Sequence, residues 1–202
     1  MNIRPDLISH NRPRTRLSPT SVTVHNTGNP NTTAQNNRDF FANHPQARVS
    51  YHWVVDDIHA IQCIPENEIA WHAGAVANGQ SLGVGVCEFA DHRRQAEANS
   101  NAAKLIAQIL RRYGWRLDQI TTHKAWTGKN CPSQLLPMWQ RFLSLVSTHL
   151  PLALSLNGKL TNIELKLIEG RTYAPVRALL EQEGYVINWD EANKIVSGVR
   201  RR

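Results

Sequence analysis

The chain has 202 residues, of which 41 % are hydrophobic and 19 % charged, as in an ordinary globular protein with room for one sizeable domain and a small one. No apolar run approaches the roughly 18 residues that span a bilayer, and the N-terminus lacks the apolar core of a secretory signal, so we expect neither a transmembrane segment nor a signal peptide. The net charge of +7 is compatible with a polyanionic partner or with a plain solvated surface, but no interleaved block of basic and aromatic residues indicates specific nucleic-acid binding.

The first predicted strand ends in a histidine. Residues 1–19 carry three prolines and many arginines and predict an irregular arm. A strand over 21–27 follows, in which Val22 and Val24 share one face while Thr23 and His25 share the other. The further elements predicted here are a helix over 32–44, a hairpin of strands 50–56 and 59–64, a loop over 65–81, a strand over 82–89, a helix over 95–113, a short strand over 118–122, and a helix over 134–147 capped by Ser133.

This mixture of elements predicts an α/β domain over residues 1–148, with a mixed central β-sheet flanked by helices. Residues 149–154 are expected to form a linker, and residues 155–202 a small α+β domain with a small core. Its predicted elements are the strand LSLNG, the strand RTYAPV, a helix over 176–184 closed by Gly184, and the strands YVINW and KIVSGV.

Two histidines and one cysteine are candidate metal ligands. His123 and Cys131 bound the nine-residue stretch HKAWTGKNC, and His25 comes from the first strand. Three nitrogen and sulfur ligands without an equal fourth are typical of an open, hydrolytic zinc site rather than a closed structural one. Taken alone, His25 is more often a structural histidine. An odd number of cysteines argues against a disulfide framework, and Cys63 and Cys87 lie in apolar segments that predict burial.

Other side chains near these ligands are candidates for binding and catalysis. Lys129 can place a positive charge on the oxyanion that forms when an amide is attacked, although a loop lysine is by default solvated. Trp71 and His72 lie in the predicted loop over 65–81, where we expect them to be exposed to a ligand; packing of the loop on the sheet is the alternative for Trp71. Trp126 lies between the paired ligands and is a third predicted substrate-binding residue.

Five segments resemble the zinc-dependent N-acetylmuramoyl-L-alanine amidases, which include phage endolysins, Bacillus autolysins and peptidoglycan recognition proteins. They are VHNTG (24–28), SYHWVVDD (50–57), AWHAG (70–74), LGVGVC (82–87) and THKAWTGKNCP (122–132), and the resemblance covers roughly residues 20–146. It implies cleavage of the amide between the lactyl group of N-acetylmuramic acid and L-alanine of the stem peptide. It also implies His25, His123 and Cys131 as Zn²⁺ ligands and Lys129 as the catalytic lysine. The missing signal would fit an endolysin that stays in the cytoplasm until it is released to the cell wall, or export by a non-classical route.

The chain departs from this family in the strand over 82–89. Many members read G-I-E there, with the glutamate as general acid or base, whereas this chain has Gly85 in that column. Glu88 is three residues further on, and strand alternation is expected to point it to the opposite face unless a bulge intervenes. The amidase-type phage lysozyme of the family also lacks the glutamate and uses a tyrosine that Tyr51 matches. We therefore predict Tyr51 and Lys129 as the catalytic pair, with Glu88 in reserve; the alternative for Tyr51 is a plain sheet aromatic.

Residues 155–199 are similar to the copper amine oxidase N-terminal-like (stalk) domains of many Firmicute wall proteins. The similar segments are N-G-K, E-G-R-T-Y-A-P-V-R-A-L and I-N-W-D-E-A-N-K, without a metal-ligand pattern. The resemblance implies an accessory wall-binding or spacer role. Gly85 leaves one alternative for the first domain, a non-catalytic peptidoglycan-binding module of the same fold, although such members typically lose the cysteine that is present here as Cys131.

Overall fold

The structure, a computed structural model, describes residues 1–152, 154–156, 159–161, 163–191 and 193–200. The chain divides into two compact units, Met1–Leu150 and Pro151–Arg202. Among the described residues, no helix is both long enough and apolar enough to cross a membrane. The assignment of a catalytic role to the first unit and an accessory role to the second stays a prediction.

The first unit is built on a mixed sheet, as predicted, and this sheet has six strands. Its strands are β1 Asn2–Pro5, β2 Ser21–Asn26, β3 Trp53–Val55, β4 His59–Gln62, β5 Ser81–Val86 and β6 Ile120–Thr122. They lie in the order β1-β4-β3-β5-β2-β6; β3 and β4 pair antiparallel as the predicted hairpin, and the other neighbours pair parallel. In the register of β2 and β5, His25 lies opposite Gly85 and Thr23 opposite Gly83, which places two small residues beside the histidine strand.

Helices flank this sheet. They are α1 Ala34–Asn43, α2 Gly74–Asn78, α3 His92–Tyr113, α4 His123–Thr127 and α5 Trp139–Thr148. Helix α1 packs on β3 and β4, and α3 packs on β3, β4 and β5. Thr33 caps α1 by accepting a hydrogen bond from the Asn36 N–H, and Gly114 ends α3 in the left-handed conformation at φ 67°. These local signals match the helices that the sequence predicts.

Several predicted boundaries are wrong. Helix α3 begins three residues before 95, because the side chain of Asp91 caps its first turn. The predicted helix over 134–147 is not capped by Ser133; a 3₁₀ turn at Leu136–Met138 comes first, because Pro137 has no N–H to give to an α-helical ladder. The predicted loop over 65–81 contains the short helix α2. Three apolar side chains of the segment predicted as this helix, Leu135, Phe142 and Val146, are nevertheless buried.

The sequence predicted an irregular N-terminal arm. This prediction is wrong, because the arm begins with the edge strand β1. Asn2 pairs with His59 in parallel register, and Ile8 and Leu17 further along the arm are buried. Arg12 fixes the arm with two hydrogen bonds of 2.7 Å to the carboxylate of Glu68. A polar edge strand that ends in proline shows no period-two pattern, so its pairing with β4 decides its structure.

In its described residues, the second unit consists of short antiparallel strand pairs and one helix. The pairs are β7 Ser155–Leu156 with β8 Lys159–Leu160, β9 Lys166–Ile168 with β10 Arg171–Tyr173, and β11 Tyr185–Asp190 with β12 Ile195–Arg200. Helix α6 Val176–Gln182 packs on β11 and is followed by Gly184 at φ 83°. Seven residues of the predicted linker and small domain lie outside the described residues: Ala153, Asn157, Gly158, Asn162, Ala192, Arg201 and Arg202.

Candidate metal centre and active site

Three side chains from separate elements meet at one end of the sheet. His25 lies in β2, His123 is the first residue of α4, and Cys131 lies in the loop that follows α4. One ligand atom from each lies within 4.8 Å of the other two. The Sγ atom of Cys131 is 3.7 Å from Nδ1 of His25. The structure therefore brings together the three residues that the sequence singled out.

The cluster fits a tetrahedral zinc ion. With Zn–S near 2.3 Å and Zn–N near 2.0–2.1 Å, a sulfur and a nitrogen on one zinc lie about 3.6 Å apart, which matches the distance between Cys131 and His25. Burial and then the neighbouring His72 hold the pKa of His25 well below its usual value, and burial also lowers the pKa of His123. Both imidazoles are thus neutral, the form that binds metals. Burial raises the pKa of the Cys131 thiol, so an incoming cation must displace its proton.

Local hydrogen bonds position His123. The side chain of Thr122 caps α4 by accepting from the Ala125 N–H at 3.1 Å, so His123 is the first residue of the helix that follows β6. The carbonyl of Cys131 accepts from the Lys124 N–H at 2.9 Å, which closes the loop back onto the start of the helix. Two of the three ligands are therefore held by one compact helix-and-loop segment.

Trp126 connects that segment to the sheet. Its indole Nε1–H donates to Oγ1 of Thr23 at 2.8 Å. The Ser81 hydroxyl donates to the carbonyl of Ala77 at 2.8 Å, so in the 2.7 Å contact between the two hydroxyls Thr23 donates to Ser81. This chain of hydrogen bonds joins α4, β2, β5 and α2. The sequence offered Trp126 only as a substrate-binding residue, a role that stays a prediction; its N–H is used inside the protein.

Tyr51 occupies the space above Gly85, the position where the family resemblance led us to expect a glutamate. A Cβ atom added at Gly85 would lie 2.6 Å from Cδ2 and 2.7 Å from Cε2 of the Tyr51 ring. The same ring lies 4.9 Å from the ring of His25 and 5.7 Å from that of Phe41. Burial, with contributions from Cys131 and Glu88, raises the pKa of the Tyr51 phenol, which therefore keeps its proton at neutral pH. The absence of a side chain at 85 makes room for this tyrosine.

Glu88 is buried, and its carboxylate contributes to the electrostatics of Tyr51 and Cys131. Strand β5 ends at Val86, so the period-two rule no longer applies at 88, and the Glu88 carbonyl accepts from the Asn31 N–H at 2.6 Å. Its carboxylate is close enough to raise the pKa of both Tyr51 and Cys131. Its Oε2 atom is buried without a hydrogen-bond partner in the described part of the chain. A carboxylate so placed is available to a ligand.

His72 is buried, whereas the sequence predicted it to be exposed. Its exposed fraction is 6 %. Its Nε2 lies 3.2 Å from the carbonyl of Ser81, and its Nδ1 lies 3.1 Å from Nε2 of His25. Both ring nitrogens are therefore engaged inside the protein.

An open cavity of about 650 Å³ borders the cluster at His123. Trp71, which is half-buried, and Arg48 line its wall. Lys129 is exposed and lies close enough to lower the pKa of His25 and His123. The cavity thus combines an aromatic surface, exposed positive charge and a candidate metal ligand, which suits an extended polar substrate with carbonyl groups.

Comparison with known proteins identifies the relatives of the first unit. The family described as N-acetylmuramoyl-L-alanine amidase matches residues 15–134. The amidase CwlH of Bacillus subtilis (strain 168) is 36 % identical over 156 residues, which are 73 % of this chain and 62 % of CwlH. The amidase XlyA of the same organism is 36 % identical over 149 residues, 70 % of this chain and 50 % of XlyA. The chain therefore spans only about half to three fifths of these relatives.

Solved structures are similar over the same unit. The catalytic domain of XlyA has a TM-score of 0.68 at 36 % identity, with 72 % of this chain and 99 % of that domain covered. The structure of PlyL has a TM-score of 0.66 at 30 % identity, with 72 % of this chain and 97 % of that structure covered. The sheet and helices described above are thus those of an endolysin-type catalytic domain.

Proposed function

The chain belongs to the N-acetylmuramoyl-L-alanine amidase family, and from this premise we propose that it is a peptidoglycan hydrolase. It cleaves the amide bond between N-acetylmuramic acid and L-alanine of the stem peptide. The observation that carries the proposal is the group of buried His25, half-buried His123 and buried Cys131 beside an open cavity.

These three side chains would hold one Zn²⁺ ion. Zinc with three protein ligands and an open fourth position lowers the pKa of a bound water to about 7 and polarises a carbonyl oxygen. Neutral His25 and His123 and a displaceable Cys131 proton support this assignment. Lys129 extends an exposed ammonium next to the ligands, where it stabilises negative charge on the oxygen of the attacked amide.

Tyr51 is proposed to take the general acid role of the glutamate that Gly85 replaces. Its raised pKa keeps the phenol protonated, and no hydrogen bond within the fully described first unit engages its hydroxyl. A protonated phenol can donate a hydrogen bond to the developing oxyanion or a proton to the departing amine. Glu88 is the alternative for this role. Its carboxylate is close enough to affect Cys131, and its Oε2 atom has no hydrogen-bond partner in the described residues.

Substrate binding is assigned to the cavity beside His123. Trp71 offers a half-buried aromatic surface there, suited to the apolar face of a sugar or the methyl groups of a stem peptide. His72 and Trp126 support the site from inside, since their polar ring atoms contact His25, Ser81 and Thr23.

The second unit is proposed to be an accessory wall-binding or spacer domain, on the resemblance of its sequence to stalk domains. For the whole chain, we propose that the protein is released to the cell wall as an endolysin is. Sedimentation with purified cell walls, comparing the full chain with a chain that ends at Leu150, tests the wall-binding role. Equal sedimentation of the two chains would limit the second unit to a spacer.

One assay tests the proposed reaction. Purified protein is incubated with cell walls, with and without a zinc chelator, and new L-alanine amino termini and new reducing ends are counted. The proposal predicts chelator-sensitive release of amino termini without reducing ends. Reducing ends would indicate a glycosidase, and no release by a zinc-loaded protein would favour a non-catalytic peptidoglycan-binding module, the alternative that Gly85 leaves open.

A further inference from the structure

His72 contacts a metal ligand but does not itself belong to the cluster. We propose that His72 is a positioning residue that fixes the His25 ring with its proton on Nε2, so that Nδ1 faces the metal. The inference rests on the zinc site of the proposed function and deepens it. It assigns the role to a chain of two hydrogen bonds, from His25 to His72 and from His72 to the backbone of Ser81.

The direction of each hydrogen bond follows from the groups involved. The carbonyl of Ser81 can only accept, so the proton of the neutral His72 ring is on Nε2, 3.2 Å away. Nδ1 of His72 then carries a lone pair, and the 3.1 Å contact requires Nε2 of His25 to donate. The remaining nitrogen of His25, Nδ1, then carries an unprotonated lone pair and lies 3.7 Å from Sγ of Cys131. One backbone carbonyl thus determines which nitrogen of a metal ligand is free.

The neighbouring strand holds His72 at the correct place. Gly83 has no side chain, and a Cβ there would lie 2.7 Å from Cγ of His72, so only glycine lets the ring rest against β5. Gly83 is in turn fixed by His52, whose Nδ1 accepts from the Gly83 N–H at 2.8 Å while its Nε2–H donates to the carbonyl of Glu68 at 2.8 Å. His52 and His72 therefore have different tasks: the first fixes the backbone, and the second fixes the metal ligand.

Two substitutions of His72 separate positioning from packing. His72→Leu fills much of the space but offers no acceptor to His25. His72→Asn places an amide oxygen close to the position of Nδ1 and keeps the acceptor. Zinc affinity is measured by competition with a chromogenic chelator, and we expect His72→Leu to weaken it about 10–100-fold and His72→Asn to recover most of that loss. Leu82→Ala, a core truncation in β5, is the control for destabilisation and should leave zinc affinity within about twofold.

A spectroscopic measurement tests the idea without zinc or activity. The ¹⁵N shifts of His25 in the metal-free protein report which nitrogen carries the proton. We expect a single form protonated at Nε2 in the wild type and a mixture of forms in His72→Leu. A wild-type ring protonated at Nδ1 would overturn the inference, as would His72→Leu with wild-type zinc affinity.

Gly83→Ala provides a second test should His72→Leu fail to fold. The added methyl pushes the His72 ring away from β5 while leaving its chemistry intact, so zinc affinity should fall as in His72→Leu. Unchanged affinity in Gly83→Ala would count against the inference. A protein that shows the expected tautomer and binds zinc tightly but releases no amino termini from cell walls would contradict the proposed function and leave the role of His72 standing.

Discussion

The contact between Gly85 and Tyr51 gives a prediction that can be worked from distances. In Gly85→Ala the new Cβ would lie 2.6, 2.7 and 3.2 Å from Cδ2, Cε2 and Cγ of the ring, whereas carbon atoms normally approach to about 3.5–4.0 Å. The ring must therefore move by nearly 1 Å, against His25 on one side and Phe41 on the other. Overpacking of this kind costs about 1–3 kcal/mol of unfolding free energy.

Urea denaturation and turnover on cell walls measure the two consequences of Gly85→Ala. Turnover should fall by about 10–100-fold if Tyr51 is the proposed catalytic group, because a catalytic group displaced by about 1 Å loses its alignment. Gly79→Ala is the matched control: its nearest contacts are 3.5 and 3.7 Å and its φ is −83°, so its stability should stay within about 0.5 kcal/mol of the wild type.

A double substitution assigns the cost of Gly85→Ala to the ring. In a Tyr51→Ala background the methyl group at 85 meets no ring, so Gly85→Ala should cost less than about 0.5 kcal/mol there. A Gly85→Ala protein as stable and as active as the wild type would refute the view that glycine is present at 85 to admit the tyrosine.

Three further predictions concern the scaffold. Burial lowers the pKa of His52 to about 4, so between about pH 6.5 and pH 4 this histidine binds a proton in the unfolded chain but not in the folded chain. The contribution of His52 to the unfolding free energy should therefore fall by about 3 kcal/mol as the pH drops through this window, and His52→Gln should remove that part of the pH dependence measured in urea. Trp126→Phe loses the hydrogen bond to Thr23, so we expect about 1 kcal/mol lower stability and several-fold weaker zinc binding in chelator competition, because the helix of His123 is less firmly held; unchanged zinc affinity would contradict this. Thr33→Ala removes the cap of α1 and should cost about 1 kcal/mol in thermal unfolding while leaving turnover unchanged; a large loss of turnover would show that α1 matters to the site beyond its stability.

Local patterns predicted the parts of this protein that depend on local physics. Alternation in SVTVHN placed His25 and the valines on opposite faces of β2, and the apolar run at 82–89 identified β5 as a central strand. The predicted mixed sheet flanked by helices is confirmed by the structure and by its similarity to the XlyA catalytic domain. The spacing of His123 and Cys131 suggested that they could meet, because a loop of eight residues can return two side chains to one ion, and the structure brings them together.

The parts that could not be predicted depend on tertiary contacts. Strand β1 owes its structure to pairing with β4, and the burial of His72 depends on the room above Gly83, which no local pattern reveals. Strand alternation could not be applied to Glu88, because β5 ends at Val86 although the apolar run continues to 89. The roles of Tyr51, Lys129, Glu88 and the substrate-binding residues stay predictions for experiment.

Turnover of Tyr51→Phe, compared with Glu88→Gln on the same cell walls with bound zinc measured for each, tests the central claim most directly. We predict that Tyr51→Phe lowers turnover by more than tenfold while zinc stays bound, because the variant keeps the ring above Gly85 and loses only the hydroxyl. A large loss in Glu88→Gln with wild-type turnover in Tyr51→Phe would contradict the account and assign proton transfer to the buried carboxylate.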